Sequence, residues 1–164
     1  MKLKNSEDQD NWNDKKKPKS FKELMELFET PWDRLVDSLR NGNLSEALKE
    51  RGIIVNTTAR NVKGWKEEHY VYDIIAMNGN KVVVVQVRMD LEEEHVNCFL
   101  EDMKKFNSRI SIFKNQIIYG AVAYLKTEKE AIKYAENQGL FVIKATEKNA
   151  SIINKKDFKP KVFS

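Results

Sequence analysis

The chain has one cysteine, so no internal disulfide can form, and this usage suits a reducing cytoplasm. No apolar run approaches the roughly 20 residues of a membrane span. The first residues mix lysines with acids and carry no apolar h-region, so no secretory signal is expected. There is no Gly-rich phosphate loop, no Gly-x-Ser-x-Gly elbow and no internal repeat. Metal and thiol chemistry are thinly supplied. His95 and Cys98 lack a second ligand pair for zinc, and Cys98 has no histidine placed as a catalytic partner. Glu92 and His95 have di-iron spacing, but such sites need a second helix of the same kind.

What is present suits one α/β domain with a tail. The chain has 164 residues, 41% of them hydrophobic, enough for a core. Charged residues make up 33%, and 29 basic against 25 acidic residues leave a net +4. That balance permits a polyanionic partner without demanding one.

Residues 1–20 are polar and of mixed charge, which predicts a disordered tail; its lysine run ending at Lys19 reads as a solvated linker before a phosphate contact. Ser20 and Glu23 have capping-box spacing for a short helix within 21–31. The domain then spans 32–164. Helical periodicity restarts at Pro31-Trp32-Asp33, is interrupted at Asn41-Gly42 and stops at Arg51-Gly52. Strands are expected at 53–60, 69–77 and 81–89. A hairpin loop at Lys63-Gly64-Trp65-Lys66 joins the first two. One long helix over 90–113 carries Phe99, Met103 and Phe106 at helical spacing and packs them on the sheet. A strand at 116–124, a helix capped by Thr127, a strand at 140–146 and a short strand at 150–154 complete the order.

The chemistry gathers on two strands. Asn78-Gly79 is a hairpin signal that folds Asp73–Met77 against Lys81–Arg88. A turn at Asn78-Gly79 sets Asp73 opposite Val84; a turn at Gly79-Asn80 sets it opposite Gln86. Either register brings Asp73, Gln86 and Arg88 within roughly 5 to 8 Å on one face, with Val83, Val85 and Val87 on the other. An acid facing an amide and a cation two residues apart is a layout for metal-assisted phosphodiester hydrolysis. Asp73, Gln86 and the backbone carbonyl of Val87 would offer hard oxygens to Mg²⁺ while the cation orients water. The other reading is a buried Asp73–Arg88 salt bridge. Lys63, Trp65 and Lys66 are candidate nucleic-acid contacts, with Trp65 either stacking on a base or capping a local apolar cluster. Lys104 and Lys105 are read first as partners of the helix dipole and second as a binding surface.

These segments carry a resemblance. Arg51–Val55, Val71–Gly79, Lys81–Arg88, Ile118–Tyr124, Gln138–Lys144 and Phe158–Phe163 together resemble the PD-(D/E)XK nuclease superfamily over roughly residues 32–163. More narrowly, they are similar to a group of bacterial proteins of uncharacterised activity, common in cyanobacteria, with this domain near the C-terminus. The resemblance implies an αβββαβ core, a mixed sheet flanked by helices, and an Mg²⁺-dependent site at Asp73, Gln86 and Arg88. Relatives read acid-x-Lys where this chain reads Gln86-Val87-Arg88. Glutamine occurs in some active branches, such as the Mrr-like restriction enzymes. Arginine is the larger departure, because it cannot shed its proton and its planar fork places water differently. The function expected is a nuclease-like domain that binds nucleic acid, DNA first, with weak or lost phosphodiesterase activity. An active Mg²⁺-dependent DNA endonuclease and a non-catalytic protein-interaction module or homodimer are the alternatives.

Overall fold

A computed structural model describes residues 20–163. The chain divides into two compact units after Thr30. The first contains α1, Phe21–Phe28, whose Glu23 N–H donates to the Ser20 hydroxyl at 3.2 Å. The sequence's polar tail, Ser20 apart, lies outside the described residues.

The second unit, Pro31–Ser164, is organised on one six-stranded mixed sheet in the order β1 to β6. Its strands are β1 Thr57–Lys66, β2 Glu68–Met77, β3 Lys81–Leu91, β4 Ile117–Thr127, β5 Phe141–Ala145 and β6 Ala150–Ile152. β1, β2 and β3 are antiparallel neighbours; β3, β4 and β5 run parallel; β6 returns antiparallel. Parallel neighbours need crossovers, which α4, Glu93–Lys104, and α6, Lys129–Asn137, supply. The fold is α/β, a mixed sheet flanked by helices, with the expected αβββαβ order at its centre.

The Val82–Val85 run is buried on both faces, as so dense a β-branched run requires. Val83, Val85 and Val87 meet Leu35, Val36 and Leu48 from α2, Pro31–Ser38, and α3, Leu44–Lys49. A π-helical turn, Leu39–Asn43, links these two helices where Asn41-Gly42 breaks the pattern. Val82 and Val84 meet Val96, Phe99 and Met103 of α4 on the other face, with Phe106 beside them. Among the described residues no helix is long and apolar enough to cross a membrane.

Four elements depart from expectation. The first strand begins at Thr57, because Ile53 closes α3 by donating to Leu48 O and lies outside the ladder. Lys63–Lys66 is strand, paired with Glu68–Val71, and the turn falls on Glu67 at φ 65. The expected long helix ends at Lys104, and the chain continues as α5, Phe106–Arg109, and a 3-10 turn, Ser111–Phe113. Positions seven apart on a straight helix lie about 10.5 Å apart along its axis. The Phe106 and Phe113 rings stack with centroids 5.8 Å apart, which requires the chain to turn. Thr127 donates to Leu91 O at 2.7 Å, and Glu128 takes the N-cap of α6.

Candidate functional site: a cleft where two strands part

The β2–β3 register pairs Met77 with Val82 and Ile74 with Val85. The turn is therefore Gly79-Asn80, closed by Asn78 N–H to Lys81 O, and Gly79 supplies the left-handed φ of 88. Continued by one step, this register sets Asp73 opposite Gln86. The ladder stops one step short of that pair.

The cause lies on the neighbouring strand. Arg60 reaches Asp33 and Asp37 of α2, on the first face of the sheet. Val62, two positions on, packs into the α4 core on the second face. β2 makes the same exchange, with Ile74 in the first core and Tyr72 in the second. The exchange falls at Asn61, which adopts φ 54, opposite Asp73. Beyond it, β1 and β2 run on as a two-stranded ribbon over α4 and α5, while β3 continues beside β4. A cleft of about 370 Å³ opens in the fork.

Parting leaves the backbone of Val87 without a β2 partner, and buried backbone groups need one. Two side chains supply it. Asp73 Oδ2 accepts the Val87 N–H at 2.8 Å. Trp32 Nε1, at the start of α2, donates to the Val87 carbonyl at 2.8 Å. Gln86 and Arg88 line the same cleft, so the structure gathers the three expected residues around it. Asp73 and Arg88 do not form an ion pair within 4.0 Å, and the expected buried salt bridge is replaced by the Asp73–Val87 hydrogen bond. Gln86 Oε1 and Arg88 Nε are buried without hydrogen-bond partners. Burial holds the Asp73 carboxyl above its ordinary value; the Val87 N–H and the Arg88 charge pull it down, and Asp102 adds to the rise.

Asp102, Trp32 and His69 also line the cleft, and the sequence reading gave none of them this place. Asp102 follows Phe99 by one helical turn, a signal that it shares the sheet-facing side of α4. Nothing local in the sequence marks Trp32, which meets Val87 across 55 positions.

Arg109 anchors the ribbon. Its side chain is only 4% exposed, bonds Asp102 Oδ1 at 2.8 Å, Glu68 Oε1 at 2.9 Å and the Tyr72 hydroxyl at 3.2 Å, and lies over the Tyr70 ring. Lys105 bonds Glu68, Lys104 bonds Glu101, and Lys66 reaches Ser108 O. Three of the five residues expected to touch nucleic acid thus brace the fold or a neighbouring acid. Lys63 and Trp65 are exposed. His95 serves the α4 capping box with Glu92, and Cys98 is an exposed free thiol.

These donors do not fit a resident Mg²⁺. The cleft offers one carboxylate already bonded to an N–H, a neutral amide, and a carbonyl bonded to an indole. A guanidinium stands beside them, and Asp102 is committed to Arg109. Hard divalent ions take several oxygens and favour carboxylate charge. Among the described residues no group of three or more His, Cys, Asp or Glu is placed to hold a metal.

No protein-family model matches the chain, and no curated protein matches its sequence. Two solved structures are similar in part. One is a protein of unknown function, AF1548, with 14% identity over 68% of this chain and 58% of that one, at a TM-score of 0.39. The other is a repair endonuclease from Pyrococcus abyssi, with 17% identity over 66% of this chain and 46% of that one, also at 0.39. The chain thus spans about half the length of these structures. The chemistry of the cleft rests on its own residues.

Proposed function

We propose that this domain binds nucleic acid, DNA first, with Arg88 holding a backbone phosphate in the fork cleft, and that its phosphodiesterase chemistry is weak or lost. Arg88 carries this reading. Its guanidinium lines the cleft, its Nε is buried without a partner, and no ion pair ties it to an acid among the described residues. Arg88 is half-buried, and a buried N–H without a partner is costly, a cost that an entering anion offsets. A guanidinium offers phosphate two parallel N–H donors. The net charge of +4 favours the approach of a polyanion.

The same groups oppose hydrolysis. Arginine cannot act as a base, the Asp73 carboxylate is engaged in closing the strand break, and Asp102 is bound to Arg109. Bound phosphate is therefore held without the divalent ion that would activate water.

Fluorescence anisotropy with a labelled oligonucleotide tests this. Arg88→Ala should weaken binding roughly 10-fold and lower the slope of log affinity against log salt by about one. Equal binding by the native and Arg88→Ala proteins would contradict the reading. So would efficient plasmid cleavage in Mg²⁺ that Asp73→Ala abolishes.

A further inference from the structure

The two faces of the ribbon beyond the fork differ. One face carries Val62, Gly64, Lys66, Tyr70 and Tyr72. It is fixed to α4 and α5: Tyr72 donates to Asp102 O at 2.7 Å, Tyr70 to Arg109 O at 3.3 Å, and Lys66 to Ser108 O at 2.5 Å. Gly64 has no side chain because the Tyr70 ring lies over it; a Cβ there would come within 2.2 Å of the Tyr70 hydroxyl. The other face carries Lys63, Trp65, His69 and Val71, and all four are exposed. Trp65 and His69 are cross-strand partners, with rings edge to face and centroids 4.3 Å apart.

Trp65 is 65% exposed although the ribbon beneath it is braced. An indole held outward at this cost in apolar exposure is available to a flat partner. His69 and Val71 also line the cleft that contains Arg88. From Asp73 to His69 the strand runs about 13 Å. A cation, an aromatic pair and an apolar contact thus lead along one face to a phosphate-sized cleft. Aromatic groups interleaved with cations form a stacking platform for unpaired bases, whereas paired bases keep their faces inside the duplex.

We propose that this face is a stacking platform for single-stranded nucleic acid, with a base on Trp65, a phosphate near Lys63 and the same strand continuing into the Arg88 cleft. The inference rests on the nucleic-acid reading above and goes beyond it in naming an unpaired strand.

The full chain should be titrated with a labelled single strand and with its duplex, as the native protein and as Trp65→Ala, Trp65→Phe and Arg88→Ala. The native protein should prefer the single strand. Trp65→Ala should lose about 10-fold or more of single-strand affinity, leave duplex binding nearly unchanged, and be largely rescued by Trp65→Phe. Circular dichroism of each variant confirms that it is folded. Unchanged single-strand binding in Trp65→Ala, with a loss in Arg88→Ala, would overturn the platform and leave the cleft reading standing. Absence of binding to either probe by the native protein would overturn both.

Discussion

The Asp73 carboxylate accepts the backbone N–H of Val87 at 2.8 Å, just past the point where β2 and β3 separate. A side chain here takes the place of a backbone carbonyl. The carboxylate therefore has a structural duty whether or not anything binds in the cleft.

That duty separates two substitutions. Asp73→Asn keeps an oxygen for the Val87 N–H and removes a charge that burial disfavours. It should leave stability unchanged or slightly raised at neutral pH. Asp73→Ala orphans the N–H and should be less stable than Asp73→Asn by roughly 1–3 kcal/mol. Urea unfolding of both checks the order. A loss of roughly 3–5 kcal/mol in Asp73→Asn is the signature of a buried salt bridge with Arg88, and would contradict the geometry.

Acidity gives a second handle on the same group. The folded-state value of Asp73 is raised above the ordinary 3.8, mainly by burial. The folded protein thus holds this proton more tightly than the unfolded chain. The contribution of Asp73 to stability is most favourable at low pH, and falls as pH rises from the unfolded value through the folded one. The stability of the native protein minus that of Asp73→Asn should decline across that interval and level off above it. A difference that rises with pH would mean the carboxylate is stabilised as the anion.

Arg109 is the most buried of the cations that brace the ribbon. Arg109→Ala should cost roughly 2–4 kcal/mol, towards the lower end because Asp102 and Glu68 keep contact with water. It should also release the ribbon, which hydrogen exchange at the amides of Val62–Tyr72 would register as faster opening. Unchanged protection there would show that Tyr70 and Tyr72 hold the ribbon without Arg109.

The sheet was largely legible because its cues are local. Asn78-Gly79 marks the hairpin, Val82–Val85 marks a strand covered on both faces, and Phe99, Met103 and Phe106 keep helical spacing. The three cleft residues followed from that hairpin. The fork did not, since it depends on contacts distant in sequence. Val62-x-Gly64 and Tyr70-x-Tyr72 alternate as strands do, but Lys63-Gly64-Trp65-Lys66 has the composition of a turn. Contacts with the α4–α5 surface, Arg109 among them, make it a ribbon. Trp32 reaches Val87 from a helix whose local pattern signals nothing about a strand break.

Introducing an acid-x-Lys pattern should change the chemistry of the cleft. Gln86→Glu with Arg88→Lys adds a carboxylate and exchanges the planar guanidinium for an ammonium. Calorimetric titration should then detect Mg²⁺ binding at least about 10-fold tighter than in the native protein. Equal affinities would mean that the Trp32 bond to the Val87 carbonyl, rather than the missing charge, limits the site, and Trp32→Phe in the same background would show it.

Phosphate capture by Arg88, as proposed, needs no divalent ion. The most direct measurement is the affinity of the native protein for a labelled DNA strand, taken in chelator and again in Mg²⁺ at matched ionic strength, with the length of the strand read afterwards. Measurable binding in chelator, little change on adding Mg²⁺, and an intact strand are expected. Binding that requires Mg²⁺, followed by a shortened strand, would contradict it.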